Sequence, residues 1–174
     1  MRFVVRVVAL VVAAVAVGAA ALGVTSRNAL DDRRADIEAA WRALQPELAA
    51  RYEALATAND AVRANGGGAR AVVGELDAAL ADWDRTARSS DLRAQLQAAN
   101  ELEGLGRRLT ATLADSPRLA SDASNLALAA FTQRTISAKS LNSDISAYAD
   151  DRGGVIRSTV ADLLDHPELP LLDL

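Results

Sequence analysis

The chain has 174 residues, of which 51% are hydrophobic and only 3% aromatic, and its formal charge is −4. This acidic balance argues against nucleic acid as a partner, because phosphate binding requires a basic face. Cysteine is absent, which excludes disulfides, thiolate nucleophiles and thiolate metal sites. Alanine supplies much of the hydrophobicity and has the highest helix propensity, and no alternating strand pattern follows residue 25. The composition therefore predicts an all-α fold.

The first element is an apolar run at residues 7–24, which follows Arg2 and Arg6 and contains no charge and no proline. Counted from Phe3, with Arg6 reaching toward the headgroups, the run is long enough to span a lipid bilayer through residues 3–24. We predict that residues 1–25 form a single-pass transmembrane anchor. A cleaved signal peptide with its cleavage site near Ala21 is the alternative interpretation.

The orientation of this anchor depends on the Lys/Arg balance at its two ends. Arg2 and Arg6 precede the span, and Arg27, Arg33 and Arg34 follow it. The two sides are nearly equal, but a short charged tail more often stays inside. We therefore expect the soluble domain on the extracytoplasmic side.

The next element is a long amphipathic helix that starts near Leu30. Its apolar residues recur every seven positions in two interleaved rows, which are Leu30, Ile37 and Leu44, and Trp41, Leu48, Leu55 and Val62. This is the seam of a coiled-coil-like bundle helix. Pro46 should kink the helix without ending it, because the heptad continues in phase. The end is predicted at Asn65, before the glycines at 66–68.

Three further helices and a short one complete the pattern. The second carries Val72, Val73, Leu76, Leu80 and Trp83, and the third carries Leu92, Leu96, Leu102, Leu105, Leu109 and Leu113. Whether residues 89–91 are a break or a kink stays open. Ser116-Pro117 predicts the start of a helix that ends near Asp150 and carries Leu119, Ala123, Leu126, Ala130, Leu141, Ile145 and Tyr148. A short helix follows over residues 155–164.

These elements predict an antiparallel up-and-down bundle of about four helices over residues 26–165, followed by a frayed tail at 166–174. With this arrangement of elements, the chain resembles the LemA family of bacterial membrane-anchored helical proteins. The resemblance rests on Ile37–Trp41 followed by Leu44, Leu48 and Arg51, on Asn100–Gly104 followed by Arg108, Leu109 and Pro117–Leu119, and on Asn142, Ile145 and Tyr148. The chain departs from the family at Leu55–Asp60, which lacks the family's proline, and at Ser116 and Leu141, where the family has tyrosine.

The resemblance implies a four-helix bundle on a membrane anchor and no catalytic site. The residues themselves point the same way. His166 is the only histidine, and its position predicts a contact with a helix C-terminus rather than a catalytic or metal-binding role. The glycines at 66–68 predict a loop between helices rather than a phosphate cradle.

Four acidic residues near the start of the first bundle helix, Asp31, Asp32, Asp36 and Glu38, predict a solvated surface, with calcium binding as the less favoured alternative. Trp41 and Trp83 are predicted core residues. Gly104 is expected to face a neighbouring helix, and Gly106 to face elsewhere and tolerate alanine. No catalytic, cofactor-binding or metal-binding residue is predicted.

Two hypotheses for function follow from the sequence. The first is a membrane-anchored, non-catalytic helical bundle that acts by binding another protein or by self-assembly. The second is a secreted or periplasmic bundle that is released by signal cleavage near Ala21 and binds a small ligand between its helices.

Overall fold

The structure is a computed structural model that describes residues 2–65, 70–133, 136–153, 155–163 and 165–174. Within these ranges, side chains are described from residue 27 onward, except at residues 70, 155–157 and 160. This part of the chain contains helices and no strands, so the predicted all-α class is confirmed. The helices are α1 (Arg2–Ala64), α2 (Arg70–Thr86), α3 (Leu92–Asp115), α4 (Asp122–Gln133), α5 (Lys139–Arg152) and α6 (Val155–Leu163), with a 3₁₀ turn at Pro117–Leu119.

The helices form a bundle with the architecture of four helices, in which α4 and α5 together take the place of the fourth helix. Helix α1 packs against α2 on one side and against α4 and α5 on the other, and α2 also packs against α3. Helix α1 runs antiparallel to α4 and α5. Arg33 near the start of the bundle contacts Asp151, and Arg51 further along α1 contacts Phe131. The short connections between α1, α2 and α3 make neighbouring helices antiparallel.

The heptad of α1 forms the centre of the core, as predicted. Ile37, Trp41, Leu48 and Leu55 are all buried, and α1 continues through Pro46 without ending. The open question at residues 89–91 is resolved as a break, because α2 ends at Thr86 and Asp91 caps α3 by accepting a hydrogen bond from the Ala94 amide at 3.1 Å.

The single helix predicted over residues 117–150 is wrong in two respects. The chain breaks between α4 and α5, and the predicted core positions Ala123, Leu126 and Ala130 are exposed. The buried face of α4 instead carries Ser124, Ala127, Leu128 and Phe131.

The cause of this error is the position of the helix start. Ser116-Pro117 begins only the 3₁₀ turn. The first turn of α4 is held by Ser121 and Ser124, since each serine hydroxyl accepts a hydrogen bond from the amide of the other, at 3.2 and 2.8 Å. Helix α4 therefore begins at Asp122 and not at Pro117, so an apolar pattern counted from Pro117 does not apply to it.

The expectation for the two glycines of α3 is also wrong. A Cβ atom at Gly104 would meet nothing within 4 Å, whereas one at Gly106 would lie 2.5 Å from Cζ of Phe131. Leu102, Leu105 and Leu109 define the buried face of α3, and a rotation of about 100° per residue places Gly106 on that face and Gly104 away from it.

The predicted frayed tail at residues 166–174 is packed instead. Leu169 and Leu172 are buried, and so is His166 at its start. The leucines of the tail do not recur with a helical period, so the sequence pattern did not predict their burial. Two of them nevertheless pack between helices.

Two predictions concern residues that the structure describes only in part or not at all. Within the described part of the chain, no helix combines the length and apolar character needed to cross a bilayer. The anchor predicted at residues 1–25 lies among residues whose side chains are not described, and the predicted loop at 66–68 lies outside the described residues altogether.

Candidate functional site

A buried ion pair joins three helices at the middle of the bundle. Arg51 on α1 donates from Nε and Nη2 to the two carboxylate oxygens of Glu103 on α3, at 2.7 and 2.8 Å. Its Nη1 donates to the carbonyl of Phe131 on α4 at 2.6 Å, and its guanidinium lies 4.1 Å from the centre of the Phe131 ring. Because Glu103 has no exposed surface and both of its oxygens bind Arg51, the pair serves packing and orientation.

Tyr52 lies beside this ion pair and is also buried. Its hydroxyl donates to the carbonyl of Ala99 at 3.2 Å. Burial, followed by the negative charge of Glu103, raises the pKa of Tyr52 well above its ordinary value of 10. The phenol therefore stays protonated at neutral pH and acts as a hydrogen-bond donor, not as a nucleophile.

A surface cleft of about 290 Å³ lies where α1 passes the corner between α2 and α3. Trp41 and Gln45 both donate to the side-chain oxygen of Gln95, the latter at 3.1 Å, and Gln95 donates to the carbonyl of Ser89 at 2.6 Å. The Gln95 carboxamide therefore bonds within the bundle through both its oxygen and its nitrogen. The cleft is open and shallow, with no converging set of unpaired polar groups among its described lining residues.

His166 lies past the end of α6 and is buried between α1 and α5. Its Nε2 is 3.2 Å from a carboxylate oxygen of Asp31, and its ring is 6.3 Å from that of Tyr148. Its backbone amide donates to the carbonyl of Ala161 at 2.9 Å, so the chain turns back on the last turn of α6 here. The imidazole itself makes its contacts with neighbouring helices.

The acidic residues near the start of the bundle do not converge. Asp31 contacts His166 and pairs with Arg27 at 3.6 Å, while Glu38 pairs with Arg34 at 3.1 Å. Among the described residues, no group of three or more histidines and carboxylates is placed to hold a metal ion.

A groove between α3 and α5 binds the backbone of the tail at residues 171–173. Asn100 on α3 donates to the carbonyl of Leu171 and accepts from the amide of Asp173, both at 2.8 Å. Asn142 on α5 donates to the carbonyl of Leu172 at 2.9 Å and accepts from its amide at 2.8 Å. The groove therefore binds a peptide backbone from both sides.

Side chains add to this backbone recognition. Leu169 and Leu172 point into the bundle, and Asp173 pairs with Arg107 of α3 at 2.8 Å. No pattern in the sequence predicts this groove. Its only advance signal was that Asn100 and Asn142 belong to the segments that carry the LemA resemblance.

A separate cleft of about 370 Å³ lies between α3 and α4. It is lined by Arg51, Arg107, Thr110, Ala111, Ala114, Phe131 and Thr132. The ring of Phe131 forms part of its lining and also lies against Gly106.

Comparisons of the chain with protein-family models, with curated proteins and with solved structures found no match. Within the described residues, the groove that binds the backbone of residues 171–173 is the most developed recognition surface of the bundle.

Proposed function

We propose that this chain is a membrane-anchored, non-catalytic helical bundle that acts by binding another protein or by self-assembly. The observation that carries the proposal is the groove between α3 and α5, because it pairs with peptide backbone through Asn100 and Asn142. Side-chain carboxamides that pair with a backbone bind peptides of many sequences, which is how extended segments are recognised by other proteins.

The non-catalytic part of the proposal is supported by the fate of the buried polar groups. Arg51 and Glu103 neutralise each other, and the pKa of Tyr52 is raised. A catalytic site needs a nucleophile or base that reaches a substrate, together with a group that activates it. In the described residues these three groups are instead used to hold helices together.

The anchor is supported by the sequence of residues 3–24 and by the continuity of α1. The helix begins at Arg2 and continues to Ala64 without a break, and the described core of the bundle begins at Leu30. In this proposal residues 3–24 cross the bilayer once and the bundle lies on the extracytoplasmic side. Membership of the LemA family belongs to the same proposal. It is supported by the sequence segments on which the resemblance rests.

The anchor is tested by a charge placed in the middle of the span. Arginine at the centre of a membrane helix costs about 2.5–3.5 kcal/mol of insertion free energy, whereas leucine favours insertion. In membranes from cells that express the full chain, Ala14→Arg should move the protein into the carbonate-soluble fraction, and the matched control Ala14→Leu should leave it in the pellet. Equal distribution of the two variants would overturn the anchor.

Mass spectrometry of the same protein separates the anchor from the secreted alternative. An intact N-terminus is expected for the anchor. A start near Leu22 would support cleavage of a signal peptide, and with it the released bundle that binds a small ligand between its helices.

A further inference from the structure

The tail lies in its groove in the way that a strand lies between two neighbours in a sheet. In an extended chain, successive residues present their amide and carbonyl groups to opposite edges. Asn100 takes one edge, at residues 171 and 173, and Asn142 takes the other, at residue 172. Backbone pairing of this kind holds an extended peptide without reading its side chains.

The side chains of the tail supply the specificity. Leu169 and Leu172 are buried, whereas Leu171 between them is half exposed. Asp173 binds Arg107 through both its carboxylate and its backbone carbonyl, at 2.8 and 3.2 Å. The groove therefore fits an extended segment that has leucines three positions apart followed by an acidic residue.

Upstream of these contacts, residues 166 and 167 hold the start of the tail to the bundle. His166 is buried, and the Tyr148 hydroxyl donates to the carbonyl of Pro167 at 3.1 Å. Residues 168–174 beyond this point reach up to about 25 Å when extended. Pro170 restricts this segment, which lowers the conformational entropy lost when it binds.

We propose that the groove is a peptide-binding site whose ligand in trans is the segment 168–174 of a second copy of this chain. This inference rests on the self-assembly branch of the proposed function. Every copy carries one groove and one matching tail, so exchange between two copies reproduces each contact and closes into a two-fold dimer. Anchoring in one bilayer raises the effective concentration at which copies meet, which offsets part of the advantage that the short tether gives the contact in cis.

Charge reversal across the pair of Arg107 and Asp173 tests the proposal in the full chain. Arg107→Glu and Asp173→Lys each place like charges at the contact, both in cis and between identical copies. When the two variants are mixed, both contacts between unlike copies are attractive. Both side chains are more than half exposed, so neither substitution threatens the core.

The expected result is that the mixture contains about tenfold more 1:1 heterodimer than either variant contains homodimer, measured with two distinguishable tags in detergent. The double variant Arg107→Glu/Asp173→Lys in one chain should match the wild type. Adding Asn142→Ala to both partners should remove most of the heterodimer.

A mixture with no more dimer than its components would overturn the exchange. A dimer that is indifferent to these charges and to Asn142→Ala would also overturn it, while leaving self-assembly through another surface in place. The membrane retention of the Ala14 variants is measured separately, so loss of the exchange and loss of the anchor are distinguishable.

Discussion

Gly104 and Gly106 lie two residues apart on α3, and replacing each by alanine should have opposite effects on stability. Alanine at either position gains about 0.5–1 kcal/mol in helix propensity. At Gly104 nothing lies within 4 Å of the new methyl group, so Gly104→Ala should stabilise by that amount. At Gly106 the methyl group would lie 2.5, 2.8 and 3.2 Å from three carbons of the Phe131 ring, so the ring must move.

The cost of moving the Phe131 ring determines how much Gly106→Ala destabilises the fold. Phe131 has 1% of its surface exposed, and the guanidinium of Arg51 lies 4.1 Å from its centre. Overpacking of this kind costs about 1–3 kcal/mol. After the gain in propensity, Gly106→Ala should destabilise by about 1–2 kcal/mol, so the two variants should differ by about 2 kcal/mol. For a chain of this size this corresponds to a difference in Tm of about 4–8 °C.

Thermal unfolding of the full chain, followed by circular dichroism, measures this difference. A second test adds Phe131→Leu to Gly106→Ala, which should cost less than the sum of the two single changes because the smaller side chain makes room for the methyl group. If Gly106→Ala raises Tm as much as Gly104→Ala does, the packing of α3 on Phe131 is wrong.

Three further predictions concern the core. Trp41→Ala should lower the free energy of unfolding by about 3–5 kcal/mol, measured from the urea midpoint, because it leaves a cavity in the seam of α1. Arg51→Met should cost about 3–5 kcal/mol in the same assay, since it leaves the Glu103 carboxylate buried and unpaired, and Arg51→Met/Glu103→Leu should cost less than the single change. Burial raises the pKa of Tyr52 and of Tyr148 above the ordinary value of 10. The folded state therefore keeps protons that the unfolded state releases, so this stability is fully present below about pH 10 and is lost as the pH rises.

Each of these predictions has its own contrary result. A Trp41→Ala variant with a wild-type urea midpoint would remove Trp41 from the core. A double variant less stable than Arg51→Met alone would show that Glu103 has a second stabilising partner. Tyr52→Phe should weaken the loss of stability above pH 10, and an unchanged pH profile would refute the role of that hydroxyl.

The parts of the fold that follow from local periodicity were predictable. The heptad from Leu30 to Val62 predicts its own buried face, because a helix of that length repeats one pattern many times. The phase of α4 was not predictable in the same way. The helix has only 12 residues, which is too few for its apolar period to identify the buried face.

The buried ion pair of Arg51 and Glu103 is indicated by the sequence, although it was not predicted. Arg51 lies three residues after Leu48 and four before Leu55, and Glu103 lies seven after Leu96. Charged residues at core positions of two helices indicate a buried pair, because neither charge is stable there alone. Which two charges pair still depends on the tertiary fold.

The groove had no such periodic signal. Asn100 and Asn142 are single carboxamides on separate helices, and the tail carries leucines without helical spacing. Composition and period predict a frayed end for such a segment. Its order comes from two walls that only the folded bundle brings together.

The cluster of Trp41, Trp83 and Tyr52 determines which conformational changes tryptophan fluorescence can detect. Its two tryptophans lie edge to face with ring centres 6.3 Å apart, and Tyr52 lies 4.9 Å from Trp83. Tryptophan fluorescence therefore comes from one place, where α1 and α2 meet. Emission from this cluster is expected to follow unfolding of the bundle as a whole and to be blind to release of residues 168–174. If the fluorescence of a dye on the tail is recorded together with that of the tryptophans, release of the tail from the groove can be distinguished from unfolding of the bundle.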